Sequence, residues 1–310
     1  MLKLLTFFFM LLIFILPVFS YEQTTYNALL SAYKQNKINS ALKLIKKING
    51  EGNLTASVYL LQYEIYKKAN KLQEAKEALL SAVKLDEDCF EAYIGLMILS
   101  LENNDPDEAK KYFDKVLEIN PELSESSDIL YYYAKICIMN KDFNSALDSI
   151  LEAIKLNGDE KLYYLELGKI YLYKKDYIKA VNALDFAIGE DGKINEEVYN
   201  YLGLSNYKRG NPARALEYFL KAVEINDKSF VYLNNLALCY KSLNETEKFK
   251  MTVKKIMSLT PAAPSDYVQL SALYYDRKDF EAAKNILNEG IKLYPDNLLL
   301  KEILKKLNKT

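Results

Sequence analysis

The sequence predicts an all-α fold, an α-solenoid of about eight helix-turn-helix repeats that ends in a capping helix. Similar short segments begin at Leu167, Leu202, Leu236 and Leu270, and the last three begin 34 residues apart. Each segment is followed by a polar break and a second amphipathic stretch, and apolar residues in both stretches recur at helical spacing. A fixed period of this length is typical of stacked helical hairpins.

The chain opens with a segment that is expected to be a secretory signal peptide, residues 1–20. A positive start at Lys3 precedes an apolar run from Leu4 to Phe19, and Val18 and Ser20 suit the positions before a cut after Ser20. The run has 16 residues, fewer than the roughly 20 that span a bilayer. We therefore expect an exported protein, periplasmic or extracellular. The alternative is an uncleaved membrane anchor at residues 4–19.

The repeat pattern divides the following chain into eight predicted units. Six of them are 34 residues long, and the other two carry small insertions at Glu122–Ser126 and Gly189–Asn195. The predicted units are 22–55, 56–89, 90–126, 127–160, 161–195, 196–229, 230–263 and 264–297. The units fill nearly all of the chain after the predicted cut, which indicates one continuous array.

Within each unit, turn-forming residues separate the two predicted helices. Gly210-Asn211-Pro212 is expected to make the turn of the sixth unit, because Pro can begin the next helix. At the same place other units have an Asp that can cap exposed N–H groups, namely Asp142, Asp176 and Asp279. The second helices of three units are expected to end at Pro121, Pro261 and Pro295.

In this phase the units resemble the tetratricopeptide repeat family, whose pattern is an aromatic residue, Leu-Gly, Tyr, Ala, an aromatic residue, a second Ala and Pro. The first Ala recurs in seven units, at Ala41, Ala75, Ala109, Ala146, Ala180, Ala215 and Ala283. Tyr stands where the family has Trp, at Tyr59, Tyr93, Tyr164, Tyr199 and Tyr267. The resemblance implies a right-handed superhelix whose first helices line an inner surface that binds protein segments.

Two features depart from this pattern. Phe249 and Ile256 replace the two alanines of the seventh unit, and a wider or rotated hairpin is expected there. Residues 298–310 form no further hairpin. Their apolar residues Leu300, Ile303, Leu304 and Leu307 share one helical face. This segment is therefore expected to be a closing helix that covers the last repeat.

The resemblance makes the exposed faces of the first helices the candidate surface for a partner. Tyr would offer a broad contact and Asn would bind a peptide backbone. The candidates are Tyr131, Lys135, Lys169, Asn200, Tyr207, Asn234, Lys241 and Tyr275. The same faces also include Tyr26, Tyr33, Leu60, Lys67, Ile94, Leu165, Leu204, Leu238 and Val268. Alternatively, many of these residues pack only between neighbouring repeats.

Absences in the sequence argue against an enzyme. The chain has no His, and its 3 Cys are far apart without a CxxC spacing, so common acid–base, nucleophilic and zinc sites are missing. Gly189-Glu190-Asp191-Gly192 lacks the Lys of a phosphate loop. We expect no catalytic, cofactor-binding or metal-binding residue and no cofactor.

The charge balance bears on the partner. With 41 Lys and Arg against 42 Asp and Glu, there is no basic excess that would favour nucleic acid. A protein or peptide partner is expected, and a membrane only if the N-terminal segment is retained. The predicted function is a non-enzymatic scaffold for protein–protein interaction. The alternatives are a membrane-tethered structural component of a cell-envelope assembly and an accessory subunit of an exported enzyme complex.

Overall fold

The computed structural model describes residues 20–49, 54–189, 195–259 and 263–308, and these residues form helices and turns without a strand. The predicted all-α class is thus confirmed. The apolar segment that was assigned to a signal peptide or anchor lies outside the described residues, as does Pro261. No helix in the described part of the chain has both the length and the apolar character needed to cross a bilayer.

The chain divides into two compact units, Met1–Asp159 and Glu160–Thr310. In unit 1, helices that follow one another in the chain pack as hairpins. Its helices are α1 (Ser20–Lys34), α2 (Ile38–Asn49), α3 (Ala56–Lys68), α4 (Leu72–Leu85), α5 (Phe90–Glu102), α6 (Pro106–Ile119), α7 (Ser127–Met139) and α8 (Phe143–Leu156). A short 3-10 helix, Pro121–Glu125, occupies the first predicted insertion.

Unit 2 repeats this arrangement and adds a last helix that packs on the final hairpin. Its helices are α9 (Lys161–Tyr173), α10 (Tyr177–Ala187), α11 (Asn195–Lys208), α12 (Pro212–Ile225), α13 (Phe230–Ser242), α14 (Thr246–Ser258), α15 (Pro264–Tyr275), α16 (Phe280–Leu293) and α17 (Leu298–Leu307). In both units the first helix of a hairpin packs against the second helix of the hairpin before it at most junctions.

Each hairpin turns through one residue in the left-handed conformation. These residues are Asn36, Asn70, Asn104, Lys141, Lys175, Gly210, Asn244 and Lys278, with φ between 56° and 80°. The following N–H closes the turn on a carbonyl five residues back, as when Asp176 N donates to Tyr171 O at 2.9 Å. Gly takes this conformation without strain, whereas Lys does not. The turn geometry is therefore common to all eight hairpins, although only one of them uses Gly.

The second helices begin with the caps that the sequence predicts. The side chains of Asp142, Asp176 and Asp279 accept hydrogen bonds from backbone N–H groups three residues on. Asn211 does the same, with Pro212 in the first turn of α12. Each cap satisfies a donor that has no partner inside the helix.

Small residues set the spacing between packed helices. All seven alanines of the repeat pattern are 0% exposed. Where the pattern has Gly, a large side chain fills the space of the missing Cβ. A Cβ on Gly203 would lie 2.5 Å from Phe219, and one on Gly168 would lie 2.5 Å from Leu184. The pattern's small positions are thus sites of close helix contact.

The seventh hairpin carries large residues at these positions. Phe249 and Ile256 are 0% exposed, and the Phe249 ring lies edge-on to Tyr274 of the next hairpin at 5.0 Å. The backbones of α14 and α15 approach each other less closely than those of α12 and α13. The junction after this hairpin is therefore more open, and the predicted wider or rotated hairpin stays a prediction.

The last helix, α17, is amphipathic. Leu300 and Leu307 are buried in the core of unit 2, and Ile303 and Leu304 pack against that core. Leu298 remains 80% exposed. The helix thus covers apolar surface of the preceding hairpin with the face that the sequence assigns to this role.

Candidate partner-binding surface

The surface in question is formed by the first helices of the hairpins, α1, α3, α5 and α7 in unit 1 and α9, α11, α13 and α15 in unit 2. Successive first helices of one unit lie side by side. We call the exposed and half-buried side chains along this side the first-helix surface of each unit. The sequence placed all its candidate residues on these helices.

In unit 1 the half-buried carboxylate of Glu64 joins α1 to α3. The Tyr33 hydroxyl donates to Glu64 Oε2 at 3.2 Å, and the Lys68 ammonium lies 3.9 Å from the centre of the Tyr33 ring. Burial raises the pKa of the Glu64 carboxyl, while the hydrogen bond from Tyr33 opposes the rise. The predicted surface residue Tyr33 is thus held by contacts within the chain.

Lys67 continues this network towards α5. Its ammonium lies 3.0 Å from Glu102 Oε1 and donates to the Tyr63 hydroxyl at 3.4 Å. Tyr63 is 2% exposed, and burial raises the pKa of its hydroxyl, with Glu64 and Glu102 adding to the rise. The Lys67 charge is therefore neutralised inside unit 1.

Helix α7, the first helix of the fourth hairpin, carries Tyr131 and Lys135. Tyr131 is only 6% exposed, and its ring lies edge-on to Tyr132 with the ring centres 5.2 Å apart. The Lys135 ammonium lies 5.5 Å from the centre of the Tyr131 ring, and Lys135 is half-buried. Tyr131 is thus mainly a packing residue, whereas Lys135 reaches the surface.

In unit 2 the corresponding lysine is enclosed by charge. Lys169 Nζ lies 3.0 Å from Glu166 and 3.4 Å from Glu197, and its side chain is 16% exposed. Burial alone would lower the pKa of the Lys169 ammonium, but Glu166, Tyr201 and Glu197 together raise it above its usual range. Burial also raises the pKa of the Tyr201 hydroxyl to about 12. Lys169 therefore remains charged, and its charge is satisfied within the unit.

Asparagines link α11 to α13. Asn235 Nδ2 donates to Asn200 Oδ1 at 2.7 Å, and Asn200 is 4% exposed. Asn234, which directly precedes Asn235 on α13, has a buried side-chain oxygen that accepts no hydrogen bond from the described residues. A buried acceptor without a donor is uncommon, since most such atoms are hydrogen-bonded.

The remaining candidates lie towards the ends of the first helices. The hydroxyls of Tyr207 and Ser242 lie 2.6 Å apart, and Lys241 Nζ lies 2.6 Å from Asp276 Oδ2. Tyr275 is 45% exposed, and its ring centre lies 5.4 Å from that of Phe280. Tyr275 thus offers the most open aromatic surface of the eight candidates.

Burial divides the other residues of the predicted faces. Leu60, Ile94 and Leu165 are buried and belong to the packing between helices. Half-buried residues of these faces are Tyr26, Leu204, Leu238 and Val268. The last three lie one on each of α11, α13 and α15, and Asn234 is on α13.

Sequence reasoning missed the residues that pair with the candidates, notably Glu64, Glu102, Glu166, Glu197 and Asp276. A signal for some of them was present. Lys67 and Glu102, Asn200 and Asn235, and Lys241 and Asp276 are each 35 residues apart. This is one repeat plus one residue, so a search for complementary side chains at that spacing would have found these pairs.

Other chemistry is sparse in the described part of the chain. No group of three or more His, Cys, Asp or Glu there is arranged to hold a metal ion. The three cysteines are free thiols and buried, and burial raises the pKa of Cys89 and of Cys239 to about 11. These thiols are therefore protonated near neutral pH and poorly nucleophilic.

Curated relatives match parts of the chain. Protein O-mannosyl-transferase TMTC3 of Homo sapiens is 25% identical over 246 residues, which are 76% of this chain and 26% of that protein. The Hsp70-Hsp90 organising protein of Plasmodium falciparum is 28% identical over 152 residues, which are 49% of this chain and 27% of that protein. The matched region thus spans about a quarter of each relative.

A solved structure with the same fold is the hetero-tetramer Cut9-Hcn1 of APC/C. It superimposes with a TM-score of 0.63 at 17% identity, and the match covers 90% of this chain and 54% of that one. Models of the tetratricopeptide repeat match residues 66–125 and 100–170, 196–229 and 267–297. Together these ranges include more than half of the chain. The chain belongs to the tetratricopeptide repeat family.

Proposed function

We propose that this chain is a non-enzymatic interaction protein that binds a segment of a partner protein on its first-helix surface. Proteins built from tetratricopeptide repeats generally mediate protein–protein interaction, and family models match both units of this chain. The solved structure of the same fold is named as a hetero-tetramer, Cut9-Hcn1. The proposal extends this general role to one surface of this chain.

The observation that carries the proposal is the side-chain oxygen of Asn234, which is buried and has no donor among the described residues. Asn234 as a whole is half-buried, so rotation of its side chain would bring this oxygen to the surface, where a backbone N–H of a bound segment would supply the missing hydrogen bond. Leu204, Leu238 and Val268 on the same first helices are half-buried, so they keep apolar area that a partner can cover. Tyr275 adds an exposed aromatic ring.

The proposal that the chain is not itself an enzyme rests on its residues. The sequence lacks His, and three lysines of the first-helix surfaces, Lys67, Lys169 and Lys241, are held in ion pairs with neighbouring helices. The relative named as a transferase matches over only 26% of its own length. An accessory role beside an exported enzyme is the second candidate, and identification of the partner would separate the two.

The proposed location is outside the cytoplasm, by way of residues 1–20. It is supported by the positive start, the apolar run and the small residue before the proposed cut. Intact mass measurement of the protein from its native cells tests the proposal. A chain that begins at Tyr21 supports a soluble exported protein. A chain that keeps Met1 in the membrane fraction contradicts cleavage and supports the alternative of a tethered structural component.

The surface itself is tested by substitution in unit 2. A triple variant, Asn234→Leu, Tyr207→Phe and Tyr275→Ala, changes the polar and aromatic groups of the surface but leaves the helix packing in place. A matched control, Leu220→Ala with Met251→Ala, removes apolar side chains that are 43% and 71% exposed on second helices. Both variants are compared with the wild type by affinity purification of partners and by circular dichroism. Loss of a partner with the first variant alone is expected; equal recovery by all three proteins contradicts binding at this surface.

A further inference from the structure

Lys135 differs from Lys67, Lys169 and Lys241, three other lysines on first helices, because no carboxylate of the described residues pairs with it. Lys67 lies 3.0 Å from Glu102, Lys169 lies 3.0 Å from Glu166, and Lys241 lies 2.6 Å from Asp276. Lys135 has no ion pair with any described residue, and its recorded contact is the ring of Tyr131 at 5.5 Å. The difference has a simple origin in the sequence. Lys169 has Glu166 three positions before it, whereas Lys135 has Tyr132 at the equivalent position.

The surroundings of Lys135 favour an anion. Its side chain is half-buried, and the rings of Tyr131 and Tyr132 beside it are both 6% exposed. A charge at a partly buried place is less screened by water than one in solution, so an opposite charge brought there gains more. An aromatic ring attracts an ammonium but does not neutralise it. Among the described residues, no carboxylate lies within ion-pair distance of this ammonium, so the site can accept one from a partner.

We propose that Lys135 binds the side-chain carboxylate of an Asp or Glu in a partner segment that the first-helix surface of unit 1 receives. This inference rests on the proposed function and specifies the chemistry of the partner at one position. The remaining face of the ammonium donates to the carboxylate, while the Tyr131 ring holds the aliphatic part of the lysine in place. Acidic residues in the partner are thereby selected at this point.

The number of positive charges at the site indicates whether it binds a phosphate or a carboxylate. A phosphate dianion is usually bound by several donors, with Arg prominent among them, and the chain has Arg only at Arg209, Arg214 and Arg277, all in unit 2. Lys67, on α3 of the same unit, is already paired with Glu102. The single ammonium of Lys135 matches one carboxylate of single charge.

A selection of random peptides tests the proposal without knowledge of the natural partner. The full chain is immobilised in mild detergent and used to select from a phage-displayed library of dodecapeptides. Selected sequences are then synthesised with amidated C-termini, so that no terminal carboxylate is present. We expect one position of the selected peptides to be enriched in Asp and Glu. Replacement of that residue by Asn or Gln should weaken binding about tenfold, the equivalent of about 1.4 kcal/mol.

Variants of the protein complete the test. Lys135→Met should lower affinity for the acidic peptide about tenfold and leave its affinity for the amide peptide unchanged, whereas Lys135→Arg should retain most of the binding. The matched control is Lys221→Met, because Lys221 Nζ also lies over tyrosine rings, 5.3 Å from Tyr199, but on the second helix α12. Circular dichroism checks that each variant is folded.

The outcomes separate the inference from the function on which it rests. Selection of peptides without acidic enrichment, or acidic peptides that bind Lys135→Met and wild type equally, overturns the role of Lys135 and leaves the first-helix surface as a binding site. Binding that requires a free peptide C-terminus assigns the carboxylate to a chain end and also overturns the inference. A folded wild-type protein that selects no peptide contradicts both proposals.

Discussion

The ammonium of Lys169 lies 3.0 Å from the carboxylate of Glu166, whose side chain is 6% exposed. The two residues are three apart on α9, and a second carboxylate, Glu197, approaches from α11 at 3.4 Å. The pair therefore satisfies a nearly buried acid and also joins two first helices of unit 2. A surface that the sequence assigns to partner binding is thus partly occupied by the chain's own cross-links.

Replacement of Lys169 should lower the stability of unit 2. Lys169→Met leaves Glu166 as a buried carboxylate without a cation, and we expect unit 2 to be destabilised by about 3 kcal/mol. The double variant Lys169→Met with Glu166→Leu removes both charges and should recover most of the loss. Urea denaturation followed by circular dichroism measures both effects. Equal midpoints for the single variant and the wild type would contradict the importance of this pair.

The same pair has a pH dependence of defined sign. The carboxylates outweigh burial and raise the pKa of Lys169 in the folded protein. The stabilisation is therefore fully present below the ordinary lysine pKa of about 10.4 and is lost as pH rises through the raised value. We expect wild type and the double variant to lose stability differently only in the alkaline range above that pH. A difference between them that grows at acidic pH instead would assign the effect to a carboxylate and contradict the role of Lys169 titration.

Replacement of the left-handed lysines in the hairpin turns by Gly should raise the stability of the protein. Lys141, Lys175 and Lys278 adopt φ values of 61°, 63° and 61°, a conformation that costs an L-residue with a Cβ about 1–2 kcal/mol. Gly avoids this strain but loses more entropy on folding, so each Lys→Gly change should stabilise the protein by about 0.5–1 kcal/mol. Thermal denaturation of single and triple variants measures the gain.

A control separates the turn effect from the loss of charge. Lys221 lies inside α12, where the same change to Gly should destabilise by about 1 kcal/mol. Gly210, at φ 80° in the equivalent turn, should lose stability on replacement by Ala. The opposite signs at turn and helix positions are the decisive result.

Close helix packing makes Gly203 intolerant of even one methyl group. A Cβ there would lie 2.5 Å from Phe219 Cε1, and Phe219 is 1% exposed, so the ring has little room to move. We expect Gly203→Ala to destabilise by about 2 kcal/mol, although Ala favours a helix by about 1 kcal/mol. In a Phe219→Leu background the same substitution should be tolerated better. Thermal melts of the four proteins give the coupling energy.

The buried thiols should be inert until the fold opens. Cys89 and Cys239 are 5% and 0% exposed, and burial raises the pKa of each to about 11. Iodoacetamide should label them slowly at pH 8 in the native protein and rapidly in urea, as read by mass spectrometry of the peptides. Rapid native labelling would show that the hairpins open locally.

The thiols should also make the stability of the fold depend on pH in alkaline solution. Because the folded-state pKa lies above the ordinary value of about 8.5, their contribution is fully present below that pH and is lost as pH rises towards about 11. Replacement of both by Ala or Ser should therefore flatten the fall in stability over this interval. An unchanged pH profile would assign the fall to other groups.

Much of the fold follows from the sequence because local rules act within single hairpins. Several features are visible in the sequence and were found where expected: the helical spacing of apolar residues, Asp caps such as Asp142, the turn at Gly210-Asn211-Pro212 and alanines such as Ala215. The all-α class therefore needed only periodicity and turn chemistry. The left-handed lysine at 175 carried no such signal, since Lys has no preference for that conformation.

The sequence by itself determined the helices, their repeat and the first helices as the candidate surface. Only the tertiary structure decided which of that surface's side chains are available. Tyr131 is packed, Lys169 and Lys241 are paired, and Lys135 is without a carboxylate. The physical reason is that burial and pairing depend on how one helix stacks on the next. Whether two side chains one repeat apart contact each other depends on that stacking. The residue pattern within a single helix does not specify it.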